Sequence, residues 1–417
     1  MRHDVRRYLY LFAAWAVFRA VERRLLGPGF GSDPFLYFQY ARTWCAGAAP
    51  YLDFHPEYPP AALLLFVVPF LAGGGGGFVT IFQLEMAAFD FAAIAAVFAF
   101  AARIWPNSQP RQIAAAAGYL VATAVLHPVL FWRYDLAPAA LTICALYLAA
   151  TRREIAGAVL LGLGGSLKLW PLALAPFWLG SSLQRRGWRD AIREGIAMGA
   201  GLVIPVALFA VRARLGIFGF LQFHSERALQ IESSWANLAL LGDALGLAQS
   251  RITYHHGAFN VEGGLATALK AVARIAVLVL TFAPQAIALR ARGAGSAELP
   301  ARTWVQVAAA SVLGILVGAS VLSPQFMIWV VPLLVVWDAP GIAAAIAIAA
   351  LTTAVYPNLY DPMVLRQPPR YAIALACLSM RNLLLAASYA VLVRRLVGGA
   401  ARSSVQGGKP DIAAAAT

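Results

Sequence analysis

Apolar runs separated by short, mostly Arg-bearing loops make up most of the chain. Residues 8–26, 78–102, 112–130, 135–150, 192–214, 264–289, 303–321, 323–338, 340–356 and 371–393 read as membrane-spanning helices. Most approach the roughly 20 residues that a helix needs to cross the hydrocarbon core. Two further apolar segments fit that template poorly. Residues 60–72 are short and begin at Pro59-Pro60, and residues 155–180 carry Lys168 in the middle with Pro171 and Pro176 after it. Such irregular segments are tolerated where backbone is buried in protein or lines a wet cavity. The start, MRHDVRRYLYLFAAWAVF, joins a basic end to an apolar run without a small-residue cleavage signal before GPGFGSD, so residues 8–26 are expected to be retained as the first transmembrane helix.

Composition fixes the class. Of 417 residues, 61% are hydrophobic and 12% charged, against roughly 45–50% apolar in a soluble domain. The expected fold is an all-α polytopic membrane protein, a single integral-membrane domain over residues 1–400 with a disordered cytoplasmic tail at 401–417. The net charge of +14 comes largely from Arg in short loops, as the positive-inside rule expects. No basic stripe with interleaved aromatics stands apart from those loops, which sets nucleic acid aside as a partner. Cys45, Cys144 and Cys377 are scattered and odd in number, forming neither a disulfide framework nor a metal site.

The basic loops also orient the chain. Arg2/Arg6/Arg7, Arg103/Arg111, Arg152/Arg153, Arg185/Arg186/Arg189/Arg193, Arg290/Arg292/Arg302 and Arg394/Arg395 all fall on one, cytoplasmic face under two conditions. Residues 60–72 must dip in without crossing, and 155–180 must be a helical hairpin with Lys168 near its outer tip. The count is then about twelve passes with both termini inside. A rival count makes both segments single crossings, also about twelve, but puts Arg152 and Arg153 outside; the charge rule favours the first.

That orientation gathers polar residues at the outer face. A first outer loop, 27–77, brings Asp33, Asp53, His55 and Glu57; WRYDLAP brings Arg133 and Asp135; the hairpin brings Lys168. A long outer loop, 215–263, brings His224, Arg227 and Glu232, and the Ser323-Pro324 turn brings Gln325. Each has a plainer reading. Asp33 precedes Pro34 at a helix start and can be only a cap, as can Asp135, with Arg133 as an interface anchor. Glu57 can be a solvated loop acid. Lys168 inside an apolar stretch requires a partner or a polar cavity. Tyr254-His255-His256 reads as a surface loop, since adjacent histidines point apart on a helix and no i, i+4 partner follows. Gly73 to Gly77 has no GKS or GKT sequel and is a flexible turn.

In order along the chain, YLDFHPEYPP, WRYDLAPAAL, AGAVLLGLGGSLKLWPLAL, HSERALQIES and LSPQFMIWVVPL resemble the polyprenol-phosphate-sugar-dependent glycosyltransferases of the GT-C superfamily. The resemblance is nearer to glycosyltransferase family 87, which includes phosphatidylinositol mannoside mannosyltransferases, and runs from about residue 30 to about residue 337. It implies a GT-C-type bundle with a membrane-embedded first outer loop, an acidic residue near that loop's start at Asp33, a second polar segment at Arg133 and Asp135, and a Lys-Pro hairpin at Lys168. Some relatives carry histidines where this chain has Gln325 and Phe326, so no histidine role transfers there.

The resemblance implies a hexosyltransferase, with mannose as the best-known cargo, acting on a lipid or glycan acceptor at the outer face. Inverting transfer needs a base for the acceptor hydroxyl and cations for the departing phosphate. Asp33 is the candidate base, its pKa raised by desolvation and held back by any nearby cation. Arg133, Lys168, Arg227 and His224 are candidate phosphate ligands; Glu57, Asp135, Glu232 and Gln325 are candidates for sugar or acceptor. The partners are membrane lipid, the polyprenyl-phosphate sugar and the acceptor. No soluble cofactor is needed, and without a convincing DxD pair no divalent metal is expected. The alternative is a transporter or flippase of a lipid-linked or anionic solute, to which broken helices and an intramembrane Lys also point.

Overall fold

The computed structural model describes residues 2–27, 29, 31–291 and 299–406. Six helices among these are long and apolar enough to cross a membrane: Ala62–Ile104, Trp188–His224, Gly264–Arg290, Ala301–Gly318, Ala339–Asn358 and Arg370–Gly398. Leu136–Ala150, Glu154–Leu167 and Pro324–Trp337 are apolar but shorter. The protein is a multi-pass helical membrane protein. The path from Trp188 stays helical or nearly so to Glu226, well into the expected outer loop.

Both irregular segments fold back. Lys168 interrupts the helix Glu154–Leu167 in extended conformation, a 3-10 turn Trp170–Leu174 follows, and the chain returns as Ala175–Arg186. The return is fixed where the two ends meet, at an Arg186–Glu154 ion pair of 3.2 Å. Residues 60–72 form the first arm of a second hairpin, because Gly74 breaks the helix Ala62–Ile104 with φ 54° and ψ −157°. Phe66 and Phe82 both pack on Tyr37, and Phe70 and Phe78 both pack on Phe38. These pairs are symmetric about Gly74, so the two arms run antiparallel. The positive φ at the reversal is one that glycine adopts without steric cost.

The Arg-rich loops gather at one end of the bundle. Arg111 and Arg302 both lie over the Trp105 ring, Gln184 donates to the Leu289 carbonyl, and Arg395 pairs with Asp338 at 2.8 Å. At the other end the loop expected over 215–263 is not all helical. Leu229–Gln230, Ala258–Glu262 and Arg251–His255 form an antiparallel sheet in the order first, third, second, with the helix Ser234–Ala244 between its first two strands in sequence. The protein is helical as expected, with this small sheet set into its outer loop. His256 and Gly257 make the hairpin turn, both at positive φ. The His255 and His256 rings meet instead of pointing apart, and His255 Nε2 lies 3.1 Å from Glu262. The last helix runs over Arg370–Gln406, so the tail expected from residue 401 overlaps it, and residues 407–417 lie outside the described residues.

Candidate active site

Asp33 opens the short helix Asp33–Cys45, with Pro34 preorganised for the first turn. Its carboxylate does not cap. Oδ1 meets Arg133 Nη1 at 2.9 Å and Oδ2 accepts from the Tyr37 hydroxyl at 3.3 Å. Gly31 approaches the WRYD segment so closely that a Cβ on it would lie 2.8 Å from Trp132 Cβ and 3.1 Å from Arg133 Nη1. Glycine there lets the two segments touch, and the touch places Asp33 on Arg133.

Asp135 stands at the N-cap of Leu136–Ala150 but makes no side-chain cap. It is buried, accepting from Lys168 Nζ at 2.7 Å and from Trp329 Nε1 at 2.6 Å. Lys168 Nζ also sits about equally far from the rings of Tyr134, Phe326 and Trp329, 4.9 to 5.2 Å from each centroid. The hairpin tip is thus held in a cage of three aromatic rings and one carboxylate, where a cation is stabilised by ring faces as well as by charge. Asp135, expected to contact sugar or acceptor, does not line the cavity; it holds Lys168.

The remaining wall comes from the first and long outer loops. His224 donates from Nε2 to the Glu57 carbonyl at 3.1 Å. Arg227 follows the helix Gly219–Glu226, its Nε buried without a hydrogen-bond partner. Glu232 Oε2 is bound at 2.8 Å by Arg381, which is wholly buried in the last helix, while Glu232 Oε1 has no partner among the described residues. Half of the expected sugar-binding carboxylate is therefore committed to joining the outer loop to that helix. Gln325 sits in the turn Pro324–Phe326, next to Ser323, whose hydroxyl exchanges hydrogen bonds with Gln230. Asp53, by contrast, accepts from the Ala49 amide and serves its own turn.

One cavity of about 610 Å³ is lined by Asp33, Glu57, Arg133, Lys168, His224, Arg227, Glu232 and Gln325 together. That volume lies within the roughly 300–1,000 Å³ of small-ligand sites. Tyr356, Tyr360 and Arg274 also line it; the first two belong to a run, AVYPNLYD, that reads only as the end of an apolar span. Burial pushes the Asp33 carboxyl above its ordinary range, with Arg133 pulling against the shift. Burial likewise raises Glu57 and lowers Arg227. The site thus offers a half-buried carboxylate whose proton affinity is raised, beside several cations, in a space of the size a sugar phosphate needs. Among the described residues no three His, Cys, Asp or Glu side chains gather as a metal-ligand set.

Among solved structures the chain is similar to ArnT from Cupriavidus metallidurans, a structure bound to undecaprenyl phosphate. Identity is 14%, with 96% of this chain and 78% of that one covered and a TM-score of 0.47. It is also similar to the apo oligosaccharyltransferase of Archaeoglobus fulgidus, at 14% identity, 97% and 57% coverage and a TM-score of 0.42, so it spans little more than half of that enzyme. No curated protein matches it. The sequence profile of glycosyltransferase family 87 matches residues 54–324, a stretch that takes in Glu57, Arg133, Lys168, Arg227 and Glu232, stops just before Gln325 and does not reach back to Asp33. With well over half of its length so matched, the chain belongs to glycosyltransferase family 87 and is a multi-pass membrane glycosyltransferase.

Proposed function

We propose that the protein transfers a hexose from a polyprenyl-phosphate donor to a lipid or glycan acceptor, with inversion, at the outer face of a bacterial plasma membrane. The observation that carries this reading is the convergence of Asp33, Arg133, Lys168 and Arg227, from four separate parts of the chain, on one cavity. That cavity lies at the end of the bundle opposite the Arg-rich loops, which the positive-inside rule assigns to the cytoplasm. Asp33 takes the proton of the acceptor hydroxyl as its oxygen attacks the anomeric carbon. The bond from that carbon to the phosphate oxygen breaks on the opposite face, and the electron pair leaves with polyprenyl phosphate. Arg227 meets the departing charge, with Arg133, Lys168 and His224 on the same wall, where low dielectric strengthens each contact. Glu57, Gln325 and the open oxygen of Glu232 face sugar or acceptor hydroxyls. The reading requires no metal.

Purified protein supplied with radiolabelled polyprenyl-phosphate mannose, then with other hexoses, is expected to transfer or hydrolyse the sugar. Asp33→Asn is expected to lower the rate by about 10²- to 10⁴-fold. Full activity of Asp33→Asn removes it as the base and points to Glu57. Failure of every donor, together with solute flux in liposomes, overturns the polyprenyl-phosphate reading.

A further inference from the structure

A second cavity, of about 130 Å³, lies between the helices Arg2–Leu26 and Ala62–Ile104 and the short helix His127–Leu130, and shares no lining residue with the first. Arg2–Leu26 starts at the Arg-rich end of the bundle, so Glu22, Arg23 and Gly27, which line this cavity, stand at its outer end, where lipid headgroups begin. The volume is well above the roughly 10–15 Å³ that one water needs and below the roughly 300–1,000 Å³ of whole small-ligand sites. It is space on the scale of a headgroup.

Three polar groups that face it are short of protein partners. Gln83 is only 7% exposed, yet its amide makes no hydrogen bond among the described residues, and neither does the His127 ring. Glu22 is buried and accepts a single hydrogen bond among them, from Arg19 onto Oε2. Buried polar groups left open in this way are costly unless water or a ligand receives them. Arg19 also lines the cavity, but its guanidinium is already spent on Asp90, Glu22 and Thr123. Asp90 is filled by Arg19, Trp15 and Tyr119. Two carboxylates therefore share one guanidinium, and the negative charge left over rests on Glu22, which can only accept. The complementary group is a cation rich in N–H donors, and a primary ammonium carries three. Arg23 offers the opposite charge, exposed at the cavity's edge.

We propose that this cavity seats the headgroup of an outer-leaflet phospholipid that ends in a primary ammonium. The ammonium donates to Glu22 and to the side-chain carbonyl of Gln83, the phosphate stays at the surface on the side of Arg23, and the acyl chains run over exposed Leu25, Leu26 and Leu84. A group that bridges Glu22 and Gln83 ties the first helix to Ala62–Ile104, so the lipid stabilises the fold by binding it. The site stands apart from the transfer reaction and does not depend on its donor.

Headgroup preference tests this. Full-length protein, delipidated in detergent, is titrated with phosphatidylethanolamine, phosphatidylcholine and phosphatidylglycerol of the same acyl chains, and bound lipid is counted by native mass spectrometry. Wild type is expected to bind one phosphatidylethanolamine about 10- to 100-fold more tightly than either other lipid, because choline has no N–H to donate and glycerol has no charge. Glu22→Gln is expected to remove most of that preference. Gln83→Leu deletes an amide without a protein partner, so its unfolding temperature without lipid is expected to match or exceed that of wild type, while the preference falls about 10-fold. Should Glu22→Gln fail to fold, Gln83→Leu decides alone. Equal affinity of wild type for the three lipids overturns the inference, as does a preference that Gln83→Leu leaves intact. Displacement of the lipid by equimolar glycerophosphoethanolamine, which has the headgroup without the chains, makes this a site for a soluble amine and overturns it as well.

Discussion

The reactivity of Asp33 is set by two opposing effects on one carboxylate. Burial withholds water from the charged form and raises the pKa, while Arg133 at 2.9 Å favours the charged form and limits the rise. In its proposed role as base Asp33 works only when deprotonated, so activity is expected to fall as pH drops through that raised pKa. The acid limb of kcat/KM is therefore expected above the ordinary aspartate value of about 3.9. Arg133→Gln removes the opposing charge, so the limb moves to still higher pH while the maximal rate falls. A limb that stays in place when Arg133 is neutralised assigns the titration to another group. Both residues were visible in the sequence, but their pairing was not. Helix-cap and interface-anchor readings explained each alone, and the contact spans one hundred residues of chain.

Glycine spacing decides where the elements carrying those residues can go. A methyl group on Gly31 would press on Trp132 and Arg133, so Gly31→Ala is expected to displace the Asp33 segment from the WRYD segment. A shift of about 1 Å near reacting groups costs about a hundredfold in rate. Gly77→Ala, where an added Cβ meets nothing within 4 Å, serves as the control and is expected to keep the wild-type rate. Equal rates in the two variants refute the close-approach role. Elements with strong punctuation were legible beforehand: Lys168 with Pro171 and Pro176 marked the hairpin, and Pro59-Pro60 with the glycine run marked the fold-back at Gly74. The outer sheet escaped because its strands are short and mix charged with apolar residues. Its signal was the His256-Gly257 pair between RITYH and AFNVE, since glycine supplies a left-handed turn position between two β-rich runs.

Over the whole molecule the bundle is also fastened by buried ionic contacts away from the candidate active site. Asp90, fully buried in Ala62–Ile104, accepts from Arg19 at 2.8 and 3.0 Å, from Trp15 at 2.7 Å and from Tyr119 at 2.8 Å. Arg19 also donates to Thr123 at 2.7 Å and pairs with Glu22. One carboxylate thereby joins the helix Arg2–Leu26 to the helices Ala62–Ile104 and Gln109–Val125. Hydropathy placed Asp90 within a span but cannot say which neighbour an acid in an apolar helix will meet, since its partner lies 71 residues earlier. Removing one partner strands a charge away from water, whereas removing both deletes the desolvation cost along with the attraction. Arg19→Met is therefore expected to destabilise the protein by about 3–5 kcal/mol, read as a lowered unfolding temperature in detergent. The double variant Arg19→Met with Asp90→Leu is expected to recover part of that loss, because Asp90 is then no longer stranded and only Glu22, the second carboxylate that Arg19 meets, is left unpaired. If the double variant is as unstable as the two single variants combined, Arg19 and Asp90 act independently, and the pair does not hold the first helix to the bundle.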